Sequence, residues 1–421
     1  MVKRPSFFYG WYIVAVAALT MVLAYGVRHT FSIFFPPILA EFGWNRGDTA
    51  LIYSLNLFTY GLLGPLSGTL ADRWQPRKLA MIGFAILSLS TAGCALANQL
   101  WQFYLLFGVL AAVGVSFAGW ALLAPALANW FAKKRGMVLG IGQMGGGMSF
   151  VYGMFANFVI SQAGWRNAYL VLAGAVVFIL MPLYFIFFRY RPEEKGMRAY
   201  GADEVVGFNH NVRDKGTNAD NDWTLRQAIK TPQLWLLVFA QTLFWGVGCY
   251  LVLTHSVKFA EDAGFSSAFA ASVFALYGIV MAGGQVSSLI SDKIGRELTA
   301  TLAAALAIIG ILALMTVKDT SQPWLLYVYA VFFGFGAGLY SPTGPAAAAD
   351  IFHGRHFGSI AGLLLTGMGI GGVFGPWLGG YIYDKTGSYI PAFIMVIIAF
   401  ALASLAMWLA APRKAARWRR G

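Results

Sequence analysis

Apolar stretches of about 20 residues recur along the whole chain, each long enough to cross ~30 Å of hydrocarbon as a helix. Twelve are predicted, near 11–36, 47–71, 79–98, 101–128, 137–160, 167–188, 233–257, 267–290, 298–317, 323–347, 357–382 and 389–411. The pattern stops once, at residues 190–231, where the chain turns polar, glycine-containing and mixed in charge. The expected fold is therefore an all-α membrane protein with twelve transmembrane helices in two six-helix bundles. Residues 1–189 form the first bundle, 190–231 a cytoplasmic linker, and 232–421 the second bundle with a basic tail. A short amphipathic piece around Leu225 to Ile229 is expected on the membrane surface.

The two halves echo each other at a spacing near 221 residues. EFGWNRGDTALIYSLNLFTYG at 41–61 answers EDAGFSSAFAASVFALYG at 261–278, and GTLADRWQPRK at 68–78 answers SLISDKIGRE at 288–297. NWFAKKRG at 129–136 answers DIFHGRHFG at 350–358, and AGWRNAY at 163–169 answers TGSYIPAF at 386–393. Four matches in one order point to a duplicated bundle, an arrangement that places a ligand between the repeats near mid-membrane.

Composition agrees with the pattern: 58% of the 421 residues are hydrophobic and 11% charged, against about 25% charged in soluble domains. The net charge of +13 does not point to nucleic acid, because its distribution follows membrane topology. With the N-terminus inside, 24 of the 30 Lys and Arg fall in cytoplasmic segments. Only Arg46, Arg166, Lys258, Lys318 and Lys385 fall on the opposite side, which puts both termini in the cytoplasm. The tail RKAARWRR suits anionic lipid headgroups. The first apolar stretch, after Lys3 and Arg4, is too long for a cleaved signal and reads as a retained helix. Cys94 and Cys249 fall inside predicted helices, as free packing thiols.

The loop Gly68 to Lys78, with Asp72, Arg73 and Arg77, resembles the signature between the second and third helices of the major facilitator superfamily. Asp292, Lys293 and Arg296 occupy the equivalent place in the second half. The acids and bases can form a latch across helix ends that is made and broken as the halves rock. Gln75 stands where the family usually has glycine. The opening FYGWYIV, with VRHTFSIFFPPILAEFGW after it, is similar to the monocarboxylate-porter and oxalate–formate-exchanger branch, a resemblance that implies transport of small carboxylates. The charged pair typical of the porters' eighth helix and the lysine of the exchangers' eleventh are both absent here.

One charge lies at depth. An arginine in the middle of a membrane helix costs ~2.5–3.5 kcal/mol on insertion scales, so it faces a cavity or a partner. Tyr25, Arg28, His29 and Ser32 share one helical face, and together they can receive a carboxylate. All 17 Asp and Glu fall in loops or helix ends, so an anionic ligand would be the counter-ion to Arg28. The seventh helix offers Tyr250 at matching depth and His255 nearer the outer surface. Asn56 and Tyr277 are repeat-equivalent cavity candidates, and Tyr340 is a candidate gate. If protons are coupled, His29, His255 or the substrate acid carries them.

Glycine runs at 140–149 and 366–380 lie within apolar spans, lack a following Lys-Ser/Thr, and predict close helix packing rather than phosphate binding. No ATP motif, metal cluster or catalytic constellation is found, so neither a cofactor nor enzymatic activity is expected. The expected protein is a monomeric secondary transporter of small carboxylates in a bacterial inner membrane, working as a proton-coupled symporter by rocker-switch alternating access. The alternatives are an anion exchanger, an exporter of larger amphiphiles and a transporter-like sensor.

Overall fold

The computed structural model describes residues 8–202, 223–352 and 357–412. Apart from one bridge between Phe131 and Tyr200, the regular structure among the described residues is helical. The first bundle holds α1 (Gly10–Phe42), α2 (Arg46–Arg73), α3 (Pro76–Cys94), α4 (Leu100–Trp130), α5 (135–163) and α6 (165–186). The second holds α7 (Pro232–Asp262), α8 (Ser267–Ser287), α9 (Arg296–Thr316), α10 (Trp324–Ile351), α11 (Phe357–Thr386) and α12 (Ile390–Ala410). Gly164, at φ 80°, separates α5 from α6. Gly43, at φ 64°, ends α1 with its amide on the Leu39 carbonyl. The Ser266 hydroxyl caps α8 by accepting from the Phe269 amide. Large apolar side chains such as Leu89, Phe178 and Leu409 stand exposed on the bundle surface, a belt suited to lipid rather than water.

Three helices depart from regular α geometry. Tyr104–Ala111 in α4, Val176–Leu180 in α6 and Thr242–Cys249 in α7 are wound as π-helix. A helical phase counted at 3.6 residues per turn is lost across the eight π-wound residues of α7, so Gln241 and His255 do not continue one stripe.

The halves meet along α2–α11, α5–α8 and the far ends of α1 and α7. Under the 221-residue repeat the first two pairings are images of one another. Glycines bring the backbones together at both. A Cβ on Gly369 would lie 3.0 Å from the Gly61 Cα, and one on Gly147 would lie 2.9 Å from the Ala282 backbone nitrogen. The run in α11 also seats α7: a Cβ on Gly246 would lie 2.5 Å from the Gly371 Cα. The expected role of both glycine runs in close packing is thus visible atom by atom.

At the end of the bundle that carries both termini, Arg296 bonds Asp292 at 2.6 Å and Asp350 at 2.9 Å, tying the start of α9 to the end of α10. Lys293 is exposed. In the first half Arg77 donates to the Phe185 carbonyl at the end of α6 and lies over that residue's ring. The side chains of Asp72 and Arg73, expected in the matching latch, lie outside the described residues, as do Arg355 and the tail from Arg413. The start of the predicted linker packs back on the first bundle: the Tyr200 amide donates to the Trp130 carbonyl, and the Trp130 indole donates to the Arg189 carbonyl. The expected amphipathic piece is one helical turn, Leu225–Ala228, capped by Thr224.

The packing makes a paired prediction. Gly246→Ala puts a methyl into the α11 backbone and should cost about 1–3 kcal/mol as overpacking. Gly283→Ala meets nothing within 4 Å and should instead remove the glycine penalty of ~0.5–1 kcal/mol within a helix. Thermal unfolding of the two purified variants in detergent should therefore move in opposite directions.

Candidate functional site

The site is built around α1, where the helix has a single non-α turn at Thr30 just beyond Arg28 and His29. Arg28 is 2% exposed, and its guanidinium carbon lies 4.2 Å from the centre of the Tyr60 ring on α2. Among the described residues no carboxylate forms an ion pair with it. Its Nε and Nη2, the two nitrogens of the guanidinium's side-on fork, are buried and without hydrogen-bond partners. A desolvated cation–π contact contributes ~2 kcal/mol, whereas the desolvation penalty of one ion is several kcal/mol. Tyr60 alone does not compensate Arg28.

Tyr25 ties this cation to α4. Its hydroxyl lies 2.6 Å from that of Tyr60 and accepts from the Trp120 amide at 3.2 Å. The two phenols share one hydrogen bond, so one of their two protons is left for another acceptor. The Trp120 amide is available because α4 breaks at Gly119, which is extended at φ −87° and ψ −158°. A Cβ there would meet the Val115 carbonyl oxygen at 2.5 Å and the Tyr25 hydroxyl at 2.8 Å. Tyr53 of α2 and Tyr250 of α7 lie close enough to Arg28 to interact with it electrostatically, and their rings meet edge-on at 6.1 Å. Residues from both halves thus converge on one cation.

The other sequence candidates are placed differently. His29 turns to α5, where its Nδ1 lies 2.7 Å from the Ser149 hydroxyl and its ring stacks on Phe150 at 4.3 Å. The same hydroxyl lies 2.6 Å from the Gly146 carbonyl, to which it donates when Nδ1 of His29 carries the hydrogen. Ser32 donates to the Leu253 carbonyl at 2.6 Å, a bond between the halves across residues 221 apart. Asn56 donates to the Phe107 carbonyl at 2.7 Å, within the first bundle. Tyr277 sits behind Phe150, ring to ring at 5.0 Å, with its hydroxyl buried and unpartnered. Tyr340 stacks on Phe244 at 3.7 Å inside the second bundle, away from Arg28. His255 lies toward the end of α7, bonded to Tyr389 and to the Pro376 carbonyl.

Two contributors escaped the sequence reading. Tyr53 and Tyr60 stand at i and i+7 on α2, with Asn56 at i+3, the spacing that singled out Tyr25, Arg28 and Ser32 on α1. The same periodicity applied to α2 identifies them.

The chain matches the Major Facilitator Superfamily over residues 17–338 and 288–421. It is 26% identical over 410 residues to monocarboxylate transporter 11 of Homo sapiens, covering 93% of this chain and 80% of that protein. It is also 26% identical over 398 residues to the probable sulfoacetate transporter SauU of Cupriavidus necator, covering 90% and 88%. Among solved structures it resembles a D-xylose–proton symporter at TM-score 0.74 and 16% identity, covering 95% of this chain and 97% of that one. A bacterial homologue of the human lysosomal transporter Spinster, inward-facing and unoccupied, follows at TM-score 0.71 and 18% identity, covering 96% and 98%.

Ser32 supplies a test of the site's boundary. A buried interhelical hydrogen bond in a membrane averages about 0.6 kcal/mol and reaches about 1.7 kcal/mol. Ser32→Ala should therefore shift the balance between conformers of the halves by about threefold to eighteenfold while leaving ligand affinity of either conformer unchanged. Spectroscopic distances between labels on the far ends of the bundles measure the balance, and direct loss of affinity would mark Ser32 as a ligand contact.

Proposed function

This chain belongs to the Major Facilitator Superfamily, and we propose that it carries small carboxylate anions such as lactate or pyruvate by alternating access, driven by protons. The observation that carries the reading is the free fork of Arg28: two parallel N–H donors on a buried cation, spaced for the two oxygens of a carboxylate. The unspent phenol proton of the Tyr25–Tyr60 pair is a third donor beside it. Hydrogen bonds to charged groups contribute about 1.5–3 kcal/mol each, enough for a few of them to offset the burial of the ion pair. The names of the similar proteins, monocarboxylate and sulfoacetate transporters, describe carriers of carboxylates and support the class.

In this reading the protein lies in a bacterial inner membrane, and the end with both termini is cytoplasmic because the basic residues gather there. Arg28 holds the anion between the halves. The glycine-lined α2–α11 and α5–α8 contacts are the surfaces on which the halves rock. His29 and His255 are the groups available to carry a proton besides the substrate acid itself. Anion exchange is the second reading, and one feature favours it: an empty carrier must return with Arg28 uncompensated, whereas an exchanger returns with a second anion on the fork.

Purified protein in liposomes, given labelled lactate, pyruvate, oxalate and formate with and without an imposed pH gradient, separates the readings. Accumulation that follows the gradient supports symport, and counterflow without accumulation supports exchange. If no acid moves in either mode, the carboxylate reading fails. Arg28→Gln should abolish binding of the transported acid. Arg28→Lys keeps the charge without the fork and should weaken binding by about 10- to 150-fold, the equivalent of one charge-assisted hydrogen bond.

A further inference from the structure

At the end of the bundle opposite the termini, a line of hydrogen bonds joins the two halves and ends on a buried imidazole. Arg46, the first residue of α2, donates through Nη1 to the Tyr389 hydroxyl at 2.9 Å and to Asp262 at 2.5 Å. Its guanidinium lies 3.6 Å over the Tyr383 ring. Asp384 accepts from the backbone amides of Arg46 and Gly47 at 3.0 and 2.8 Å, holding the start of α2 against α11. Arg46 and Gly47 belong to the first half, and all of these partners belong to the second. The line ties the two halves together at this end, as a closed gate would.

Its inner end fixes where the imidazole carries one hydrogen. His255 Nε2 lies 2.8 Å from the Pro376 carbonyl, which has no proton to give, so Nε2 carries the hydrogen. In the neutral ring Nδ1, 3.1 Å from the Tyr389 hydroxyl, is the acceptor, and that hydroxyl donates to it. Tyr389 therefore passes one bond inward and receives one from Arg46, an order that holds only while the imidazole is uncharged.

We propose that Nδ1 of His255 is a proton-binding site that controls this gate, with protonation releasing Arg46 from Tyr389 and opening the end opposite the termini. A proton on Nδ1 turns that nitrogen into a donor aimed at the Tyr389 hydroxyl, whose own hydrogen must rotate toward another acceptor, and it places a second cation one phenol away from Arg46. Among the described residues no carboxylate bonds the ring, whose two nitrogens are taken by Pro376 and Tyr389. On its own helix are Lys258, Glu261 and Asp262, the last already bonded to Arg46 and to Lys258 at 2.6 Å. From α2 comes Arg46, from α11 Tyr383 and Asp384, and from the start of α12 Tyr389. From α1 there is the uncharged edge of Phe35, 5.3 Å away. The closed gate thus favours the neutral ring, and by linkage the open gate binds the proton more tightly, so lowering the pH opens it. The inference names a proton site for the coupling proposed above and rests on that reading for its physiological meaning, but its test needs no substrate.

Labels on Asn167→Cys and Lys318→Cys, both exposed at this end and one in each half, report gate opening by pulsed spectroscopic distance; Cys94 and Cys249 are buried. Between about pH 8 and pH 5 the ratio of open to closed populations should rise at least about fivefold, the lower bound of ordinary allosteric coupling. In His255→Gln, whose amide can both donate to Pro376 and accept from Tyr389, the ratio should stay low and flat. In Tyr389→Phe, which removes the bridge and keeps the imidazole, it should be raised throughout with a weakened pH response. A wild-type ratio that ignores pH overturns the proposal, as does a wild-type pH response in His255→Gln; if that variant fails to fold, an unchanged response in Tyr389→Phe decides in the same way. Failure of the transport reading shows separately, as absent proton-driven uptake in liposomes.

Discussion

A cation held in hydrocarbon has to be neutralised from within the protein, and the centre of this molecule is organised by that requirement. Arg28 sits on α1 with the ring of Tyr60 against it, and that contact is worth less than the burial costs. Around it stand phenols rather than carboxylates. Tyr25, Tyr53, Tyr60 and Tyr250 can polarise toward a charge or donate to an anion without bringing a permanent negative charge of their own. A carboxylate in their place would satisfy the arginine permanently and leave nothing for a ligand to do.

The same centre is mechanically connected. Tyr25 touches both the cation's aromatic partner and the broken turn of α4, so the fourth helix is attached to the site through one hydroxyl. His29 is attached to α5 through Ser149 and Phe150, and Phe150 in turn to α8 through Tyr277. Ser32 reaches the carbonyl of Leu253 on α7. Three neighbouring side chains of α1 therefore lead, directly or through one further ring, into α2, α4, α5, α7 and α8, the last two in the other half. In a densely packed interior such connections pass a small displacement on as a change between discrete packings.

Much of this was legible in the sequence, and the gaps have physical causes. Hydropathy and charge asymmetry determine the twelve helices, because a bilayer tolerates few alternatives. Arg28 stands out because charge at depth is rare, and Tyr250 is singled out by its matching depth on the seventh helix. The partners of Ser32 and Asn56 were not legible: a hydroxyl or amide on a membrane helix faces a ligand or a neighbouring carbonyl with the same sequence signature, and only the packing of α7 and α4 decides. Helical phase along α7 failed because the π-wound stretch has no marker in the residue pattern apart from Gly246 and Gly248. The break at Gly119 was hidden in a run of small residues, and the Arg46 gate required partners more than two hundred positions distant.

The duplication has one further consequence. Contacts α2–α11 and α5–α8 make the halves near-copies about an axis between them, yet the residue 221 positions after Arg28 is Cys249, a buried thiol without charge. The two halves are matched in fold and lopsided in charge. A pair of matched cations would hold two anions, or one dianion, on the axis; a single cation on one wall offers one seat, displaced toward the first half. On the proposed reading, the stoichiometry of one anion per cycle is written into that difference between an arginine and a cysteine.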